Sequence, residues 1–147
     1  MKYFYSLAVF FVILVVSCKG EATDEEKKAQ GKEMLRSLAQ ECKKNEGATD
    51  EDVEGVVEDK MPETTVQKCL HSCMQKQFGV SDGTKFLKEG FIQVSSMVVG
   101  KDDEKMKIAK EVAEECDGTT NSDRCELSVD IMTCIRDALK KRGVEKP

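Results

Sequence analysis

The apolar residues of this chain recur every three or four positions from about residue 23 onwards. That spacing places them along one face of a helix, and no run of alternating apolar and polar residues persists that would indicate a strand. The pattern therefore predicts an all-α domain of six helices. Their apolar stripes are, in chain order, Met34, Leu35, Leu38, Ala39 and Cys42; Val53, Val56 and Val57; Val66, Cys69, Leu70, Cys73, Met74 and Phe78; Phe86, Leu87, Phe91, Val94, Met97 and Val98; Met106, Ala109, Val112 and Ala113; and Leu127, Ile131, Met132, Ile135 and Leu139.

Capping residues predict where the first two helices begin. Thr23 with Glu26, and Thr49 with Asp52, have the spacing of a capping box, in which each side chain bonds to a free backbone N–H of the other residue. The first helix should begin at Thr23 and stop near Gly47, and the second should begin at Thr49.

Proline predicts the boundary between the second and third helices. The residue before a proline avoids the helical conformation, so the second helix should end at the step into Pro62. Pro62 itself fits the first turn of the third helix, where its missing N–H is not needed. The third to sixth helices are predicted to span about residues 62–78, 84–99, 102–116 and 123–141, in that order.

The first 20 residues form a separate segment. Lys2 is followed by an apolar run over residues 7–16 and by small or polar residues up to Gly20, the pattern of a secretory signal peptide. The run is shorter than the about 20 residues that span a bilayer, and no second one follows. We therefore predict a signal peptide over residues 1–20 and one secreted, extracellular domain over residues 21–147, without a membrane anchor. The sequence leaves open whether the signal peptide is cleaved after Cys18 or after Gly20. The alternative to a secretory signal peptide is a bacterial lipobox, in which Cys18 becomes the lipidated N-terminus of the protein.

Charge and composition narrow the function classes. The chain is 39% hydrophobic and 35% charged, with a formal net charge of -5, which does not fit a collagen-like, polybasic or multi-span membrane protein. Two of the basic residues, Lys2 and Lys19, fall in the leader, so the remaining domain is more acidic still. A nucleic acid partner is not expected for such a surface.

Discarding Cys18 with the leader leaves six cysteines, in the spacing C-x26-C-x3-C-x42-C-x8-C-x8-C. An even number in an exported chain predicts disulfides, although spacing alone leaves their pairing open. Cys69 and Cys73 lie one turn apart on one face of the third helix, while Cys125 and Cys134 lie on opposite sides of the sixth. Zinc is the competing explanation, but the metal usually takes closely spaced pairs such as C-x2-C and the chain has one histidine, so we expect neither a metal nor a cofactor.

With C-x3-C, then a long gap, then C-x8-C, the six-helix secreted domain resembles the insect odorant-binding proteins, the general-odorant and pheromone-binding family. The resemblance covers the whole chain after the leader. It implies an all-α, six-helix, disulfide-stapled fold around an internal apolar cavity. It also implies three bridges, Cys42–Cys73, Cys69–Cys125 and Cys116–Cys134.

The resemblance assigns the apolar stripes a second role, since some of them must line the cavity. The predicted lining, rich in Met and Phe, is Met34, Leu38, Val56, Leu70, Met74, Phe78, Phe86, Phe91, Met97, Met106, Val112, Ile131 and Ile135. We expect broad rather than narrow ligand selectivity from such a wall. His71, the single histidine, is either a partly exposed surface residue or a pH sensor for ligand release.

The function implied is a secreted carrier that binds odorants or pheromones and transports them through aqueous lymph, as a monomer or weak homodimer, to membrane odorant receptors. One alternative is a relative of the same fold that scavenges or delivers amines or lipids in salivary or reproductive fluid. Another is a cavity-free helical module that binds a protein. No catalytic residues are predicted, because one histidine and committed cysteines leave no catalytic constellation and the acidic clusters suit helix starts.

Overall fold

The computed structural model describes residues 24–144, and these form the predicted all-α fold. Over this range the only extended pairing consists of two isolated bridges, Ser81 with Phe86 and Lys85 with Thr120. None of the helices there has the length and apolar character needed to cross a membrane. The helices are α1 (Asp24–Glu46), α2 (Asp50–Val57), α3 (Thr65–Gln77), α4 (Lys88–Val99), α5 (Asp103–Cys116) and α6 (Arg124–Lys141).

The chain divides into two compact units between Met34 and Leu35. The described part of the first unit is the N-terminal half of α1, where Met34 is 58% exposed. The second unit contains the rest of α1 and the five later helices, with all six cysteines. In it α3 packs on α6, α4 on α5, α5 on α6, and α2 on α3.

Side-chain caps set most of the described helix starts, and one of them is the cap predicted at Thr49. The hydroxyl of Thr49 accepts from the backbone N–H of Asp52, whose carboxylate accepts in return from the N–H of Thr49, so the predicted capping box is present. Asp102 and Asp123 cap α5 and α6. The box predicted at Thr23 lies outside the described residues.

The connection between α2 and α3 differs from the prediction. α2 ends at Val57, and a turn with Asp59 at a positive φ of 53° follows well before Pro62. Pro62 is buried in this connection and is not in the first turn of α3. The reason is a stronger cap further on, where Thr64 forms a capping box with Gln67 and starts the helix.

The start of α4 is also later than predicted. Residues 84–87 are extended because they bond to neighbouring loops: the N–H of Phe86 donates to the carbonyl of Thr119 at 2.9 Å, and the N–H of Leu87 to that of Val80 at 2.8 Å. Asp82 accepts from the backbone N–H groups of Thr84 and Lys85 and closes the turn. The helix therefore begins only at Lys88.

The core consists of two apolar clusters that share one side chain. The N-terminal cluster has buried residues from α1, α2 and α3, namely Ala39, Cys42, Val53, Val57, Leu70 and Met74. The C-terminal cluster has buried residues from α5, α6 and the connection before α4, namely Val80, Phe86, Val112, Cys116, Leu127, Ile131 and Ala138. Phe78, at the end of α3, packs against both.

Three disulfides tie the helices together. They join Cys42 to Cys73, Cys69 to Cys125 and Cys116 to Cys134, with Cα–Cα distances of 5.7, 4.4 and 5.9 Å. These are the pairs that the family resemblance implies. Because Cys125 and Cys134 leave α6 in different directions, α6 is fixed to both α3 and α5.

Candidate functional site

The C-terminal cluster carries a layer of apolar side chains that are only half-buried. Beneath this layer lie residues with almost no exposure, among them Val112, Leu127 and Ile131 at 0%. The half-buried residues packed on them come from α3 to α6 and are Phe78, Phe91, Val94, Ile108, Cys134, Ile135 and Leu139. Phe91 also contacts the buried ring of Phe86, with ring centroids 5.7 Å apart and planes tilted by 55°. A half-exposed apolar surface on a fully packed floor suits contact with a nonpolar molecule.

The predicted cavity lining is divided by the fold. The C-terminal cluster brings together Phe78, Phe86, Phe91, Val112, Ile131 and Ile135. The N-terminal cluster contains Leu38, Val56, Leu70 and Met74, again with Phe78 at the boundary.

Three methionines of the predicted lining lie elsewhere. Met34 and Met97 are exposed, the latter by 70%, because both occupy helix surfaces that stay open to solvent. Met106, near the start of α5, is half-buried but belongs to neither cluster. The adaptable methionine wall therefore has fewer members near the half-buried layer than the sequence suggests.

Two of the clefts in the described part of the chain are lined mainly by polar residues. The first, of about 460 Å³, lies between α2, the α2–α3 connection, α3 and α6; it is called the α2–α3 cleft below. The second, of about 380 Å³, lies between α1, α3 and the start of α6. Neither is the internal apolar cavity that the resemblance implies, and that cavity stays a prediction.

His71 lines the α2–α3 cleft and is buried, with 8% of its surface exposed. The expectation of a partly exposed surface histidine is therefore wrong. Burial lowers the pKa of His71 to about 4; the Asp59 carboxylate opposes this change and the Arg136 guanidinium adds to it. A pH-sensing role stays a prediction, with its charge change nearer pH 4 than pH 6.

An ion pair closes one side of the same cleft. The guanidinium of Arg136 on α6 donates to the backbone carbonyl of Asp59 and lies 3.2 Å from its carboxylate. Asp52, on another wall, accepts from the backbone of Thr49 and the side-chain amide of Gln67, and these bonds lower its pKa. Sequence reasoning missed this cleft, because the turn at Asp59 falls where the pattern predicted a continuous helix.

The arrangement of candidate metal ligands can be examined over residues 24–144. There, no three His, Cys, Asp or Glu side chains are close enough together to hold an ion. The six cysteines of residues 24–144 are paired in disulfides, which leaves their sulfur atoms without thiolate character.

Comparison with known proteins agrees with the fold. The model of the PBP/GOBP family matches residues 24–138. General odorant-binding protein 19d of Drosophila melanogaster is 30% identical over 147 residues, which cover 99% of this chain and 97% of that protein. General odorant-binding protein 28a of the same organism is 34% identical over 122 residues, covering 82% and 84%.

Solved structures give the same picture. The structure of odorant-binding protein OBP28a from Drosophila melanogaster matches with a TM-score of 0.67 and 32% identity, covering 81% of this chain and 98% of that one. A pheromone binding protein from the cockroach Leucophaea maderae, in complex with the fluorescent reporter ANS, matches with a TM-score of 0.58 and 25% identity, covering 72% and 92%. The family is one of small-ligand carriers rather than enzymes. With six helices, three disulfides and a family match over nearly all the described residues, this chain belongs to the PBP/GOBP family of insect odorant-binding proteins.

Proposed function

We propose that this protein is a secreted carrier that binds small hydrophobic ligands, odorants or pheromones, against the half-buried layer of the C-terminal cluster. It takes them through aqueous fluid to membrane receptors and leaves the fluid's other solutes unbound. The observation that carries the proposal is the layer itself, with Phe91, Val94 and Ile135 only partly buried above a floor of almost zero exposure. The cockroach relative, whose structure holds the apolar reporter ANS, supports a site of this chemical kind.

The driving force is the removal of apolar surface from water. A ligand that buries about 250 Å² of apolar area gains about 6 kcal/mol before the losses of binding entropy are subtracted. Those losses oppose the gain, which favours release of the cargo as well as its uptake. With few polar groups around the layer to select among ligands, we expect a broad range of nonpolar ligands.

The test is uptake of the neutral fluorescent probe N-phenyl-1-naphthylamine by the oxidised domain, followed by displacement with volatile and lipid compounds. Val94→Glu places a charge in the half-buried layer and should weaken probe binding at least about tenfold. Val66→Glu, at an exposed position on α3 outside both clusters, is the matched control. No saturable uptake by a monodisperse, fully disulfide-bonded sample would overturn the proposal, and so would equal weakening by both variants.

One observation favours a different candidate, a module that binds another protein and has no cavity. Met97 and Val98 form an exposed apolar pair at the end of α4, 70% and 80% exposed. The same probe experiment separates the two, because a cavity-free module takes up no probe. Sedimentation at micromolar concentration tests the accompanying expectation of a monomer or weak homodimer.

A further inference from the structure

The α2–α3 cleft is distinct from the apolar layer, and its walls differ in chemistry. Its volume of about 460 Å³ falls within the range of small-molecule pockets in proteins. Only Met61 and Pro62 give it an apolar wall, and the other side chains are polar or charged. The cleft therefore has the size of a ligand site but not the lining of one for a purely nonpolar molecule.

A buried polar group without a partner faces this cleft. His71 is more than nine-tenths buried, and no described residue donates a hydrogen bond to its imidazole or accepts one from it. The ring nitrogens of His71 are not among the fully enclosed unsatisfied atoms of the described residues, so the ring keeps access to the cleft, where a bound molecule can pair with it. The pKa of about 4 keeps the ring neutral near pH 7, with one nitrogen available as an acceptor.

The charges around the cleft are mostly negative. Four carboxylates line it, those of Glu51, Asp52, Asp59 and Glu63, against the two cations Lys60 and Arg136. Both cations are already neutralised locally, since Arg136 pairs with Asp59 and Lys60 lies 2.6 Å from the carboxylate of Glu58.

Two of the four carboxylates are left to act on a ligand. Glu51 and Glu63 are exposed and form no ion pair at contact distance with a described residue. The net field in the cleft therefore favours a cation over an anion. Among the described residues no three His, Cys, Asp or Glu side chains are grouped to hold a metal ion, and we therefore consider a molecular cation.

We propose that the α2–α3 cleft is a second ligand site, which takes a small protonated amine with an apolar group. The ammonium lies beside the carboxylates of Glu51 and Glu63 and donates one N–H to the imidazole of His71. The apolar group lies against Met61 and Pro62. This inference does not rest on the carrier function, because the two sites share no residue.

The test uses the imidazole as its own reporter, since the chain has one histidine and its ring signals need no assignment. The probe is 2-phenylethylamine, titrated at pH 7 into the oxidised domain and followed by NMR. Its neutral analogue 2-phenylethanol and its anionic analogue 3-phenylpropionate are titrated in parallel. We expect saturable shifts of the His71 ring with the amine, at least about fivefold weaker binding of the alcohol, and no saturable shift with the anion.

Variants separate charge from general binding. Glu51→Gln with Glu63→Gln should weaken the amine at least about fivefold, whereas Glu89→Gln, an exposed acid at the start of α4, should leave it unchanged. Val94→Glu should weaken the naphthylamine probe and not the amine, which distinguishes failure at one site from failure at the other.

Three results would overturn the inference. One is the absence of a saturable His71 shift up to about 10 mM amine, which corresponds to negligible affinity. The others are binding of the alcohol or the anion as tightly as the amine, and an unchanged amine affinity in the double glutamate variant.

Discussion

Gly90, in the first turn of α4, lies directly against the carbonyl group of Gly79, so that a Cβ atom at position 90 would overlap the carbonyl oxygen. Because this neighbour is backbone, it cannot move aside as a flexible side chain would. We expect Gly90→Ala to destabilise the domain by about 2 to 4 kcal/mol. Gly31→Ala is the control, since nothing lies within 4 Å of its Cβ and alanine there should stabilise α1 slightly. Urea unfolding measures both, and equal effects would contradict the close approach.

Ser128 is fully buried between α3 and α6, with its hydroxyl 2.8 Å from the carbonyl of Lys68 and 2.7 Å from that of Cys125. Ser128→Ala removes this donor from a part-buried hydrogen bond to the Lys68 carbonyl on α3 and from a buried one to the Cys125 carbonyl. The expected loss is about 1 to 3 kcal/mol in the free energy of unfolding.

Ser96 provides the comparison for Ser128. It also donates to the carbonyl three residues earlier, that of Gln93 at 2.7 Å, but on an exposed turn of α4. Ser96→Ala should change the free energy of unfolding by less than about 0.5 kcal/mol. A loss as large as that of Ser128→Ala would mean that burial of the α3–α6 contact is not the cause.

His71 makes the stability of the domain depend on pH. Its pKa is about 4 when folded and near 6.5 when unfolded, so the unfolded chain binds more protons between these values. Stability is therefore full above about pH 6.5 and falls by up to about 3 kcal/mol as the pH drops to 4. Between pH 6.5 and 4, the free energy of unfolding of the His71→Gln variant should fall by at least about 2 kcal/mol less than that of the wild type. Urea unfolding at a series of pH values measures this difference.

The lowered pKa of Asp52 acts in a different window. A carboxyl whose pKa is depressed below 3.8 contributes stability above that value and loses it as the pH falls further. The effect of Asp52 on stability therefore appears at a lower pH than that of His71.

If the His71→Gln variant follows the wild-type curve between pH 6.5 and 4, the burial of the imidazole is not responsible for the loss.

The disulfides should differ in their contribution. Cys69–Cys125 closes a loop of 56 residues, and Cys116–Cys134 one of 18. Restriction of the unfolded chain then predicts losses of about 4 and about 3 kcal/mol when each pair is replaced by alanine. Unfolding of the two double variants by urea measures the order, and a larger loss for the shorter loop would show that native packing dominates.

Much of the fold could be predicted because local rules determine it. The repeat of apolar residues at three and four identified all six helices, and the side chains of Thr49, Asp102 and Asp123 fixed their starts within a residue or two. The boundaries at Pro62 and Thr84 were wrong for different reasons. The capping box of Thr64 with Gln67 is a local motif that the emphasis on Pro62 passed over, whereas the bond of Phe86 to Thr119 joins residues far apart in the chain.

The candidate site was less predictable. Stripe positions such as Phe91 and Ile135 identify residues that face inwards, but not which of two clusters they join or how far they remain exposed. The pairing of Arg136 with Asp59 depends on a turn with positive φ that no motif marks. Those features arise from tertiary packing, so they required the structure.

α4 stands apart from the other helices of the second unit in having neither a cysteine nor a single buried residue. Its first turn is held by the contact of Gly90 with Gly79, while Met97 and Val98 at its far end face solvent. Backbone amides protected by so little burial exchange their hydrogens by local opening rather than by global unfolding. The end of α4 can therefore detach at a free energy well below that of global unfolding, with all three disulfides and the rest of the core left in place.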